Sequence, residues 1–205
     1  MPAEHGDYAF LQTQASSDEP VAWDPCRPVH LVVNTRTAPP DGLELLREAA
    51  ASVGKATGLR IVVDGTTTER LGRTRRPVQV ARYGDRWAPV LVAFTDEQQT
   101  PALDFDVVGV AGSRALPLAS GERVYVTGAV ALDGPQLGQL GDGFDGRAKV
   151  RAVIEHELSH VVGMGHVLDS RQLMSERMHA GIDSFGSGDR AGLARLGAGR
   201  CYAHD

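Results

Sequence analysis

The sequence predicts an α+β domain in which a twisted, mostly parallel β-sheet carries two long helices and a short C-terminal helix. Three observations predict it. Short apolar runs rich in valine recur between turn residues, as buried strands do. Two longer segments space their apolar residues three and four apart, which gives a helix one buried stripe. The first strand, first helix and second strand follow one another in that order, the arrangement of a right-handed parallel crossover.

Taken in order, residues 1–20 are mostly polar apart from Tyr8-Ala9-Phe10-Leu11, a cluster suited to docking, and Ala15 to Pro20 reads as linker. We therefore expect a leader and linker over 1–20 and the folded domain over 21–205. Val29 to Asn34, bounded by Pro28 and Thr35, is the first buried strand, with His30 packed on it. Asp41 is placed to cap a helix whose Leu43, Leu46, Ala50, Val53 and Ala56 recur on one face until Gly58. Ile61-Val62-Val63 follows as the second strand. Arg70, Arg73, Arg75 and Arg76 gather in a loop, read as a solvated basic patch in preference to a site for an anionic partner. Pro89 to Phe94 is a third buried strand. Asp106 to Gly112 is short and broken by glycine, as an edge strand is where another backbone approaches. Arg123 to Leu132 is a further strand. The loop Gly141 to Gly146 holds Asp142 and Asp145; a helix cap at Asp145 is favoured over a calcium site, because the spacing is not that of an EF-hand. The second long helix buries Val150, Val153, Ile154 and Leu158. Asp189 begins the last helix, with Leu193 and Leu196 inward and Gly197 at its end. His5 and His179 are read as surface histidines.

Composition narrows the function classes. A length of 205 residues with 42% hydrophobic content can bury a real core. A net charge of -5 argues against a nucleic-acid partner, which would need a surplus of lysine and arginine. No run approaches a membrane span, and a monomer is expected. Cys26 and Cys201 are the only cysteines and belong to no CxxC pattern. A disulfide between them is favoured over two separate buried thiols, and points to an extracellular or cell-surface setting.

The second long helix carries the chemistry. His156-Glu157-Leu158-Ser159-His160-Val161-Val162-Gly163-Met164-Gly165-His166 reads HExxHxxGxxH. Residues four apart share a helix face, so His156 and His160 can present two imidazole nitrogens to one ion. Gly163 ends the helix and turns the chain, and His166 arrives as a third ligand. Three neutral imidazoles leave the fourth position of a tetrahedral zinc site for water, the arrangement of a catalytic centre. Glu157, one position round from the first ligand, is placed to move protons as the general base. A lone HExxH can arise on any amphipathic helix with surface histidines; the full pattern is far more specific.

With Met174 eight residues behind His166, this motif resembles the metzincin clan of zinc endopeptidases, and its spacing is most similar to the matrixins. The resemblance implies a zincin fold with one antiparallel edge strand, an upper part over 21–166 and a lower part over 167–205. It implies that Met174 is the Met-turn residue beneath the histidines; Met164 and Met178 compete on composition, but position favours Met174. It also implies that a peptide substrate lies extended along the backbone of Val108, Gly109, Val110 and Ala111, a role weighed evenly against a plain edge strand. Many matrixins bind calcium as well. Two departures stand out. Val167 follows the third histidine where matrixins carry Ser, and Ser175-Glu176 follows Met174 where they carry Tyr-Pro, so the wall beside the scissile bond differs.

The expected function is zinc-dependent hydrolysis of peptide bonds in a protein or peptide substrate, with Glu157 as catalytic residue. The alternative from another class is a zinc-holding, protease-shaped binding module that does not cleave. Asp169 is the lesser candidate for third ligand, by analogy with snapalysin, but His166 fills the slot where that branch carries Asp.

Overall fold

A computed structural model describes residues 8–72 and 74–202. His5 and Arg73 lie outside the described residues. The elements in order are β1 (Ala9–Phe10), β2 (Ala22–Trp23), β3 (Val29–Asn34), α1 (Gly42–Thr57), β4 (Ile61–Thr66), α2 (Val80–Tyr83), β5 (Val90–Thr95), a 3-10 turn (Pro101–Leu103), β6 (Gly109–Pro117), β7 (Arg123–Asp133), α3 (Gly134–Gly141), α4 (Gly146–Val162), β8 (Met164–Gly165) and α5 (Ser187–Gly197).

Strand β5 lies between β3 and β7, β4 lies outside β3, and β2 runs beside the start of β7; all of these pairings are parallel. Strand β6 is the exception. It runs antiparallel along β7 from Gly109↔Leu132 to Pro117↔Arg123 and forms the edge. The expected fold class, with its single antiparallel edge strand in the main sheet, matches this arrangement.

Strand alternation assigns the two faces. Val29, Leu31 and Val33 of β3 and Val90, Val92 and Phe94 of β5 enter one core with Leu45, Leu46, Ala49 and Val53 of α1 and Val150, Val153, Ile154 and Leu158 of α4. Val32, Leu91 and Ala93 face the other way, onto Leu71 and Tyr83 of the β4–β5 connection. With both faces covered, every residue of β5 is buried, which is why its sequence is continuously apolar. Each such leucine or valine contributes about 1.5–3 kcal/mol relative to exposure.

The structure corrects several sequence expectations. Residues 8–20 do not form a free linker: β1 pairs antiparallel with β8, the Leu11 amide donates to the Gly163 carbonyl at 2.9 Å, and Gln14 exchanges side-chain hydrogen bonds with the Arg123 backbone. Asp41 precedes α1 but makes no side-chain cap; its Oδ2 accepts from Arg147 at 3.1 Å. Asp145 precedes α4 in a left-handed conformation and also makes no side-chain cap. The basic loop is not wholly solvated, because Arg75 is largely covered, paired with the buried Glu69 at 2.9 Å, and also donates to Thr127 Oγ1 at 2.8 Å. The edge strand starts at Gly109 and continues to Pro117, so Val108 lies just ahead of it. Helix α3 has no counterpart in the sequence reading. Its glycines lower helix propensity, and the features that permit it are Pro135 in the first turn and Asp133, whose carboxylate accepts from the Gln136 amide at 2.8 Å. Among the described residues no helix is long and apolar enough to cross a membrane.

Candidate metal centre

Helix α4 enters the site fixed at its C-terminal end. The Val161 carbonyl, one of the last in the helix, accepts from Trp23 Nε1 at 2.8 Å and from Ser113 Oγ at 2.7 Å. Gly163 then stops the helix with φ 121°, a value that side-chain-bearing residues rarely adopt. A Cβ there would also lie 2.9 Å from Leu196 Cδ2. The turn delivers β8 and then His166.

The three histidines of the motif converge. The Nε2 atom of His156 lies 3.1 Å from that of His160 and 3.1 Å from that of His166, and the His160–His166 separation is 3.0 Å. The outer nitrogens of His156 and His160 are held by backbone. His156 Nδ1 is 2.8 Å from the Leu173 carbonyl, and His160 Nδ1 is 2.8 Å from the Met164 carbonyl. Since a carbonyl can only accept, both Nδ1 atoms carry the proton, and each neutral ring turns an Nε2 lone pair toward the centre. Burial, the largest influence, drives the His156 pKa down to about 4 and that of His160 to about 3, with neighbouring imidazoles adding to the effect; burial lowers His166 as well. At neutral pH the rings are therefore in the uncharged form that binds metals. Lone pairs facing one another across 3.0–3.1 Å repel unless a cation lies among them. Their near-equal separations suit one ion bonded to all three at about 2.0–2.1 Å, so the residues fit zinc.

Glu157 follows His156 on α4 and has 6% of its surface exposed. Its Oε2 has no hydrogen-bond partner, and burial pushes its carboxyl pKa up to about 8. A buried carboxyl oxygen left unpartnered, on the residue that follows His156, belongs to a functional site more readily than to a structural one.

Met174 is fully buried. Its carbonyl accepts from the Val167 amide at 3.0 Å, which ties it to the segment leaving His166, and its amide donates to Asp189 Oδ1 at 3.2 Å. Asp189 is the residue whose role the sequence reading missed. Completely buried at the third position of α5, it also accepts from Leu173 N at 2.6 Å and Gly186 N at 2.8 Å. Burial raises its pKa despite these three donors. The only sequence signal was an acidic residue opening a helix, which is ordinarily a local cap.

The edge strand presents a defined row of polar groups. The Asp133 amide donates to the Val108 carbonyl at 2.8 Å, so in this antiparallel register Val108 and Val110 bond inward to β7 while Gly109 and Ala111 direct N–H and C=O to the free edge. The four residues expected to meet substrate thus divide into two that face outward and two that do not.

Other candidates fall away from the centre. Asp169 is held by Arg171 and Gln172, with Arg171 foremost in keeping its carboxyl well below the usual range. His179 is exposed, its Nε2 3.2 Å from Ser175 Oγ. Among the described residues, Asp142 and Asp145 join no group of three potential ligands, so the calcium expectation has no support. Cys26 and Cys201 form the expected disulfide, with Cα atoms 5.4 Å apart across 175 positions of sequence.

No protein-family model matches the chain, and no curated protein does. Among solved structures, it is similar to the crystal structure of archaemetzincin from Methanopyrus kandleri, with 17% sequence identity over 82% of this chain and 94% of that one and a TM-score of 0.51. At that identity the likeness speaks to the fold alone, and it does not single out matrixins. The chain has a metzincin-like fold.

Proposed function

We propose that the protein is a zinc-dependent endopeptidase. The observation that carries the reading is the triangle of His156, His160 and His166 Nε2 atoms, with separations of 3.0–3.1 Å, together with the buried Glu157 carboxyl, whose Oε2 is unpartnered. In this reading His156, His160 and His166 hold the ion. Zinc held this way acts as a Lewis acid and brings the ionisation of water toward neutral pH. Glu157 takes the proton from the attacking water and returns it to the leaving amine, and burial favours that exchange by keeping its carboxyl poised between protonation states. Met174 closes the floor of the site. The outward N–H and C=O groups of Gly109 and Ala111 receive the peptide as an added strand. The matrixin affinity rests on the spacing of Met174 behind His166 and on nothing else. A disulfide suits an oxidising, extracellular setting.

The test is digestion of an unstructured protein such as casein by the zinc-loaded protein, by the same protein with a chelator, and by zinc-loaded Glu157→Gln. Cleavage only in the first sample is expected. Zinc retained without cleavage in the wild type would make the protein a binding module, and full activity of zinc-loaded Glu157→Gln would remove Glu157 from the reaction.

A further inference from the structure

We infer that Gly109 is a positioning residue for Glu157, and that the side chain it lacks is the space in which the carboxylate is held. The inference rests on the reading of Glu157 as the proton-transferring group. A Cβ built on Gly109 would lie 2.6 Å from both Cγ and Oε1 of Glu157 and 2.7 Å from Cδ, closer than real contacts allow. No hydrogen bond reaches Oε2, and the carboxylate occupies the volume that a side chain on Gly109 would fill.

Neither partner can easily withdraw. Strand β6 is paired with β7 on one side, the Val108 carbonyl just ahead of it accepts from the Asp133 amide at 2.8 Å, and Ser113 Oγ ties it to α4 at 2.7 Å from the Val161 carbonyl. Glu157 follows His156, whose ring is fixed by the Leu173 carbonyl at 2.8 Å, and is buried in α4. A methyl group at position 109 therefore displaces the carboxylate rather than the strand or the helix. The same strand supplies a control, since a Cβ on Gly112 would meet nothing within 4 Å.

The experiment compares Gly109→Ala, Gly112→Ala and wild type for bound zinc, KM and kcat on a fluorogenic peptide, and for Tm in chelator. Gly109→Ala should keep one zinc per chain and a KM within about twofold while kcat falls about 100-fold, the scale of a misplacement of about 1 Å. Gly112→Ala should match wild type. Independently of activity, Gly109→Ala should lower the Tm of the metal-free protein by several degrees, and the same substitution in a Glu157→Ala background should cost almost nothing because the space is then vacant. Wild-type kcat in Gly109→Ala, or an equal Tm loss in both backgrounds, overturns the inference. If Glu157→Gln is inactive while Gly109→Ala is fully active, the inference alone fails; if Glu157→Gln is itself fully active, the reading of Glu157 fails with it.

Discussion

Asp189 on α5 receives the Leu173 amide at 2.6 Å, and the carbonyl of the same Leu173 holds His156 Nδ1 at 2.8 Å. One residue thus joins the buried carboxylate of α5 to an imidazole of the candidate metal centre. Outer partners of this kind fix ring orientation and proton position, and their loss typically costs 10–100-fold in metal affinity.

Asp189→Asn puts that relay to the test. The asparagine oxygen can still accept, but its amide group would direct donors at backbone N–H groups that need an acceptor. We expect zinc affinity about 10–100-fold weaker by competition with a chromogenic chelator, and stability lower by about 3 kcal/mol by urea unfolding. Unchanged zinc affinity would mean that the Leu173 carbonyl holds His156 without help.

A second prediction concerns the far face of the sheet. Glu69 and Arg75, with side-chain exposures of 8% and 10%, pair at 2.9 Å, and Gln79 Nε2 and Tyr83 Oη also donate to Glu69. Burial alone would raise the Glu69 pKa, but the bonds from Arg75, Tyr83 and Gln79 outweigh it and lower the pKa. A lowered folded pKa means that the ionised group stabilises the fold above the unfolded value of about 4.5, and that this contribution is lost as pH falls through the folded value. Glu69→Gln should therefore cost about 3 kcal/mol at neutral pH, with the gap from wild type narrowing as acid is added. Urea unfolding across the acid range measures it; a gap that widens in acid would contradict the assignment.

The disulfide yields a third. Closing a loop of 175 positions between Cys26 and Cys201 restricts the unfolded chain and contributes up to about 5 kcal/mol in the chain-entropy picture. Reduction should lower Tm markedly, shift mobility on a denaturing gel, and release thiols that are absent from the oxidised, unfolded protein. Thiols titrating without reductant would contradict the pairing.

How much of this could be read from the sequence depended on whether the signal was local. His156, His160, Gly163 and His166 act through spacings of three and four residues along one helix and its turn, so the motif announced their convergence. The strands at Val29–Asn34 and Val90–Thr95 were legible because burial on both faces leaves a nearly continuous apolar run, and the strand at Arg123–Asp133 because its apolar residues alternate along it. The contributions of Asp189, Arg75 and Gly109 were not legible, because each is defined by a partner remote in sequence: Leu173, Thr127 and Glu157 respectively. Helix α3 was hidden for a different reason, since its glycines argue against a helix that packing and the Asp133 cap nevertheless secure. Tyr8 to Leu11 was visible as a docking cluster, but its partner strand β8 spans only two residues and follows the helix turn, where no pattern marks it.

The most direct measurement of the central claim is zinc per chain after equilibrium dialysis, read by atomic emission for wild type and for His160→Ala. One zinc per wild-type chain and none on His160→Ala is the predicted result. A wild-type protein that takes up no zinc, or a His160→Ala protein that holds it as firmly, would contradict the claim that these three imidazoles are gathered around an ion.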